Sequence, residues 1–217
     1  GGEDEVDAAE QIISIRVTPL TDKINYCLEL HSGSNLKSFY ALPEDDSIQN
    51  IMSSLGENVQ GLITEGGAAS QMSPGNWIGS LNTIEADKGY WIIINEDAEL
   101  CLSEADLIST SLIYDLHLGS NLISFPSAGS VEVSEGLPDE IEIFIDGIIT
   151  EGGAATQLYP GSWIGSMTSF NGGMGYWLIT SEAIELTFDL STLTRNMNNV
   201  FLENEILDQY KVHQSTR

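Results

Sequence analysis

The chain has 217 residues, and 33 acidic against 7 basic side chains leave it a formal charge of −26. A field of that sign repels phosphate backbones and anionic lipid, so nucleic acid and membrane surfaces are excluded as leading partners. With 41% hydrophobic residues the chain is globular in composition, and its longest strongly apolar run, Tyr90 to Ile94, is far short of the roughly 20 residues a membrane-inserted helix needs.

Residues 1–24 read as an acidic segment with one added strand. Gln11 to Thr18 places Ile13, Ile15 and Val17 on one face against Ser14 and Arg16 on the other, the period of a strand, and Pro19 ends it. It resembles the closing strands Ala98 to Leu102 and Ile184 to Phe188, so it reads either as the last strand of a preceding unit or as a strand added to the sheet of the first unit or of a neighbouring molecule. Both the start at Gly1-Gly2 and the end at Thr216-Arg217 have the look of a processed end or an internal fragment.

The stretch Ile63–Ser80, ITEGGAASQMSPGNWIGS, returns as Ile149–Ser166, ITEGGAATQLYPGSWIGS, a shift of 86 residues (152 − 66, from Gly66 to Gly152). The register extends without a gap from Leu30–Leu36 against Leu116–Leu122 to Gly89-Tyr90-Trp91 against Gly175-Tyr176-Trp177. The expected organisation is therefore two repeat units, 25–110 and 111–192, followed by a polar tail over 193–217.

Within unit one, Cys27 to His31 predicts a strand, Gly33-Ser34-Asn35 a turn and Leu36 to Phe39 the start of the next strand. Ser47 is placed as the N-cap of a short helix to about Leu55, with Ile48, Ile51, Met52 and Leu55 at helical spacing and Gly56 as its stop. The matching stretch 131–145 holds Pro138 and β-branched residues, a weaker helical pattern. Strands follow at Val59–Thr64 and Trp77–Ser80, the latter after the Pro74-Gly75 turn, then at Tyr90–Ile94 and Ala98–Leu102. Residues 104–111 read as a short linker. The fold class expected is mainly β with minor α: two tandem, small barrel-like or sandwich-like units.

Cys27 and Cys101 both fall in unit one, near its first and last strands, which suits either a disulfide or two free thiols; without a CxxC spacing neither a zinc nor a redox motif exists. No metal or cofactor is assigned. The acidic loops around Asp45, Asp46, Glu96 and Asp97 offer oxygen ligands for calcium, although none has EF-hand or nonapeptide spacing. His31 and His117 stand two residues from Glu29 and Asp115, a strand spacing that could share a metal or simply be a half-exposed pair. Trp77, Trp163 and Tyr159 are the candidates for stacking on sugar rings, with core filling as the plainer role of the tryptophans. Met72 and Tyr159, before the Pro-Gly turns, mark where a surface contact could diverge between units. The Gly-Gly-Ala-Ala segments are read as close strand packing. No GxSxG elbow, HExxH, Walker loop or strand-borne GxGxxG occurs, so the chain reads as non-catalytic.

Asn35-Leu36-Lys37-Ser38-Phe39 and Asn121-Leu122-Ile123-Ser124-Phe125-Pro126, then Pro-Gly-x-Trp-Ile-Gly-Ser and Gly-Tyr-Trp, together resemble a repeat domain of large secreted or cell-surface bacterial proteins, often marine. Its members commonly read G-W-N-L-I-S-x-P, W-x-G-S-L and G-K-G-Y-W. This chain departs with Ser34 and Ser120 at the Trp position and with Tyr40 where Pro126 keeps the proline. The resemblance implies a non-catalytic β-rich module set among other modules, and the tail from Tyr210 looks like the start of one. The expected function is a structural or interaction module of an extracellular or cell-surface assembly: a stalk, surface layer or filament subunit, with Ile13, Ile15 and Val17 as a donated strand. Its partners would be copies of itself or neighbouring modules; the alternative is a module that binds polysaccharide.

Overall fold

The computed structural model describes residues 23–193, which form a mainly β structure of several antiparallel sheets. The first unit runs β1 (Ile24–Leu30), β2 (Gly33–Lys37), β3 (Ala41–Leu42), α1 (Ile48–Ile51), a 3-10 stretch over Ser53–Asn58, β4 (Val59–Thr64), β5 (Gly67–Ser73), β6 (Asn76–Gly79), β7 (Tyr90–Ile94) and β8 (Ala98–Leu107). The second runs β9 (Tyr114–Leu116), β10 (Gly119–Ile123), β11 (Ser130–Glu132), α2 (Val133–Gly136), α3 (Asp139–Glu142), β12 (Ile145–Thr150), β13 (Gly153–Tyr159), β14 (Ser162–Gly165), β15 (Ser169–Asn171), β16 (Tyr176–Thr180) and β17 (Ile184–Leu186).

Each unit is built on one five-stranded antiparallel sheet, in the orders β2-β7-β4-β5-β6 and β10-β16-β12-β13-β14. Corresponding strands of the two sheets begin and end 86 residues apart, as with Tyr90–Ile94 and Tyr176–Thr180. Neither sheet closes, so the barrel half of the expectation gives way to a sandwich-like packing. In the first unit, Leu62, Ala69, Tyr90 and Ile92 of the large sheet pack against Leu28, Leu30, Leu100 and Leu102 of the three-stranded sheet β1-β8-β3, with Ile48 and Ile51 of α1 closing the core. The second core draws on residues 114–193 in the same way, with Phe125, Phe170 and Phe188 at its centre.

Local chemistry explains the repeated motifs. The buried Asn35 side chain accepts from His31 N–H and donates to the His31 carbonyl, both at 2.8 Å, and Asn121 does the same around His117. Each clamp closes a turn whose glycine, Gly33 or Gly119, sits at φ near +105°, a left-handed geometry glycine adopts without strain. Tyr90 is fully buried, and its hydroxyl accepts from Glu85 N–H at 2.7 Å; Tyr176 accepts likewise from Asn171. The tyrosine of Gly-Tyr-Trp is thus core, whereas its tryptophan points to the opposite face of the sheet.

Three expectations change. The helix from Ser47 is α-helical only over Ile48–Ile51, with the Ser47 hydroxyl capping Asn50 N–H; it then tightens to 3-10, and Gly56 at φ 55° breaks it. The linker over 104–111 is shortened, because β8 continues to Leu107 by pairing Ala41 and Leu42 of β3 after a bulge near Glu104. In Gly-Gly-Ala-Ala, Gly66 supplies a hairpin turn at φ 77°. The close approach falls instead on Gly79, where a Cβ would meet the Ala68 carbonyl at 2.1 Å.

Candidate interaction surfaces

The seam between the units is assembled from matching residues of each. Strand β2 has one side unpaired within its own sheet, and an unpaired strand edge needs hydrogen-bond partners. Leu36 N–H donates to Glu151 Oε2 at 2.8 Å, while the Leu36 carbonyl accepts from Gly175 N–H at 3.2 Å and Ser38 N–H donates to the Gly173 carbonyl at 3.0 Å. The reciprocal set covers β10: Leu122 N–H to Glu65 Oε2 at 2.9 Å, Gly89 N–H to the Leu122 carbonyl at 3.2 Å and Ser124 N–H to the Asp87 carbonyl at 3.1 Å. The buried Ser38 and Ser124 hydroxyls donate across the seam to the Met174 and Ala86 carbonyls, each at 2.6 Å.

The second oxygen of each glutamate meets a histidine. His31 Nε2 contacts Glu151 Oε1, and His117 Nε2 lies 2.6 Å from Glu65 Oε1. The Glu151 contact, with the Ser32 carbonyl second, raises the His31 pKa above its usual value; for His117 the Leu118 carbonyl acts first and Glu65 second. The metal-sharing partners considered from sequence, Glu29 and Asp115, are therefore displaced by glutamates of the opposite unit. Glu65 and Glu151 were the residues sequence reasoning missed. Their one signal was identity in both copies of ITEGG, outside any recognised motif. A groove of about 320 Å³ lies at this seam, lined by charged Glu65, Asp87 and Lys88 from one unit and by Asp115 and His117 together with apolar Leu116, Leu122 and Ile123 from the other.

A second repeated surface lies on the outer face of the β-hairpins. Ile63 pairs with Ala68 on one side and Trp91 on the other, so these three share the outer face, as do Ile149, Ala154 and Trp177. Ile63, Met72 and Ile78 are exposed in the first unit, and Ile149, Leu158, Tyr159 and Ile164 in the second. The 86-residue register aligns Met72 with Leu158, and Tyr159 with Ser73, which corrects the direct comparison of Met72 with Tyr159. Trp77 and Trp163 are half-buried and pack against their cores, whereas Tyr159 remains 66% exposed. Trp163 is further held by Glu142, a carboxylate only 1% exposed, which accepts from Trp163 Nε1 and from Gly161 N–H, both at 2.5 Å.

The remaining sequence candidates separate. Cys27 and Cys101 form an exposed disulfide between directly opposed residues of β1 and β8. Asp45 accepts from Ser47 N–H at 3.1 Å, and the Ser47 hydroxyl and amide hold its carboxyl below the usual range; Asp97 accepts from Ser32 N–H at 2.7 Å. Glu96 and Asp46 join no cluster with them: among the described residues, the one set of three metal-type ligands drawn together is Cys27, Glu99 and Cys101, whose sulfurs are bonded to each other. Ile13, Ile15 and Val17 lie outside the described residues. No helix among the described residues is long and apolar enough to cross a membrane. Compared with protein-family models, with curated proteins and with solved structures, the chain matches none.

Proposed function

We propose that the chain is a non-catalytic structural or interaction module of an extracellular or cell-surface assembly, its two units clasped into one rigid pair. The observation that carries this reading is the duplicated apolar hairpin face, Ile63 and Ile78 with their counterparts Ile149 and Ile164, held in fixed relation by a reciprocal seam. Exposed apolar positions recurring in register on paired sheets are a means of contacting copies or neighbouring modules. The motif resemblance to surface-protein repeats and the disulfide, which suits an oxidising compartment, agree with it.

The outer edge of β1 supports strand donation as the mode of assembly. Cys27 and Cys101 face each other with Cα atoms 4.0 Å apart, the narrow pairing in which backbone N–H and C=O point away from the partner strand. The Cys27 and Glu29 backbone groups consequently face outward and have no partner among the described residues. A strand such as 11–18 from a neighbouring copy would satisfy them. Electron microscopy and sedimentation in the native salt test this: polymers lost on deleting residues 1–18, with both units still folded, are expected, and polymers that survive the deletion would overturn the donated strand.

Binding of polysaccharide is the second reading, favoured by the exposed Tyr159 ring beside the Pro160-Gly161 turn. It predicts saturable quenching of tyrosine or tryptophan emission by polysaccharide, lost in Tyr159→Ala.

A further inference from the structure

Repetition places a glutamate in the second unit where the first has a glycine, inside otherwise matching surroundings. Gln157 Nε2 donates to the Glu142 carbonyl at 2.9 Å, and Gln71 Nε2 donates to the Gly56 carbonyl at 2.7 Å, so residues 142 and 56 occupy equivalent places. Above them the hairpins share a register, with Gln157 opposite Trp163 and Gln71 opposite Trp77, and their turn glycines, Gly161 and Gly75, share φ values of 78° and 76°. In the second unit, Gly161 N–H and Trp163 Nε1–H converge on the Glu142 carboxylate. In the first, Gly75 N–H and Trp77 Nε1–H have no acceptor among the described residues, and a Cβ added at Gly56 would meet nothing within 4 Å.

Charge changes in the same direction. Residues 132–143 carry five carboxylates, Glu132, Glu135, Asp139, Glu140 and Glu142, whereas 46–57 carry two, Asp46 and Glu57. Gln49 holds the position of Glu135, and its Nε2 lies 3.4 Å from where a Gly75 Cβ would be, so a neutral amide stands beside the first unit's turn, whereas a Cβ at Gly161 would meet nothing within 4 Å. Repulsion of an arriving carboxylate is correspondingly weaker there than at the matching turn.

We propose that the Gly75–Trp77 turn of the first unit is a carboxylate-binding site that takes a glutamate or aspartate side chain of a partner protein. Gly75 N–H and Trp77 Nε1–H hold it as their counterparts hold Glu142. The protein source is favoured because the one occupant this arrangement is seen to accept is a glutamate side chain, and a second copy with its 33 acidic residues supplies many. Two convergent charge-assisted hydrogen bonds beside a half-buried tryptophan give such a contact both direction and an anchor. The inference rests on the interaction-module reading and names the chemistry of its partner.

The test uses the full chain labelled with ¹⁵N, whose four tryptophans give separate indole signals. Sodium acetate, titrated against sodium chloride at equal ionic strength, is expected to shift the Trp77 indole and Gly75 amide signals saturably and to leave Trp163 unmoved. Trp77→Phe should abolish the Gly75 response, and Glu142→Ala should confer the acetate response on Trp163. A silent Trp77, or an equal shift with chloride, overturns the site. A glutamate-rich peptide saturating Trp77 at lower carboxylate concentration than oligogalacturonate upholds a protein partner; the reverse order overturns that class. Sedimentation in the same salt separates the two ideas, since a chain that stays monomeric yet binds the peptide at Trp77 defeats self-assembly and leaves the site standing.

Discussion

Gly175 shows how much one atom decides. A Cβ there would lie 2.9 Å from the Lys37 carbonyl and 3.0 Å from Leu36 Cδ1, both of the opposite unit, and at Gly89 the same clash falls on Ile123 and Leu122. Neither glycine has a positive φ, so the requirement is space and not backbone conformation. Gly175→Ala is expected to destabilise the chain by roughly 1–3 kcal/mol through overpacking, measured by urea unfolding. Glu142 is the other decisive residue. Glu142→Ala leaves two donors without an acceptor and should cost roughly 1–3 kcal/mol in the same assay, with Glu142→Gln, which keeps one acceptor, losing less.

At the level of elements, the two units share their large sheets and differ in the small ones. β1 and β8 are long strands crossed by the disulfide, whereas β9 and β17 pair over three residues and carry Ile113 and Thr187 beyond them. The bond joins residues 74 apart, so it restricts the unfolded chain over most of the first unit. Replacing both cysteines by serine should lower stability by about 2–4 kcal/mol, with the loss confined to the first unit in hydrogen exchange. Most strand positions were legible in advance because alternation and Pro-Gly turns are local signals. The stretch Ser130–Glu142 was not, since one short strand and two single-turn helices leave no periodicity long enough to read.

For the whole molecule, the seam carries a pH dependence whose sign follows from its histidines. Both His31 and His117 have pKa values raised by their partners. Their contribution is complete below the usual histidine value of 6.5 and is lost as pH rises through the folded values. Stability should therefore fall as pH rises from about 6.5 through the raised folded values, and His31→Ala with His117→Ala should flatten that slope. Both rings are exposed, so added salt should flatten it as well. By itself the sequence determined the 86-residue period, the β class, the Gly33 and Pro-Gly turns and the apolar faces of the main strands, because each is written in local spacing. Only the tertiary structure decided what the repeated Glu65 and Glu151 do, why Gly89 and Gly175 cannot carry a side chain, and that Glu142 rather than solvent meets Trp163. Those roles depend on groups brought together across the seam or from distant loops, and no spacing along the chain encodes that distance.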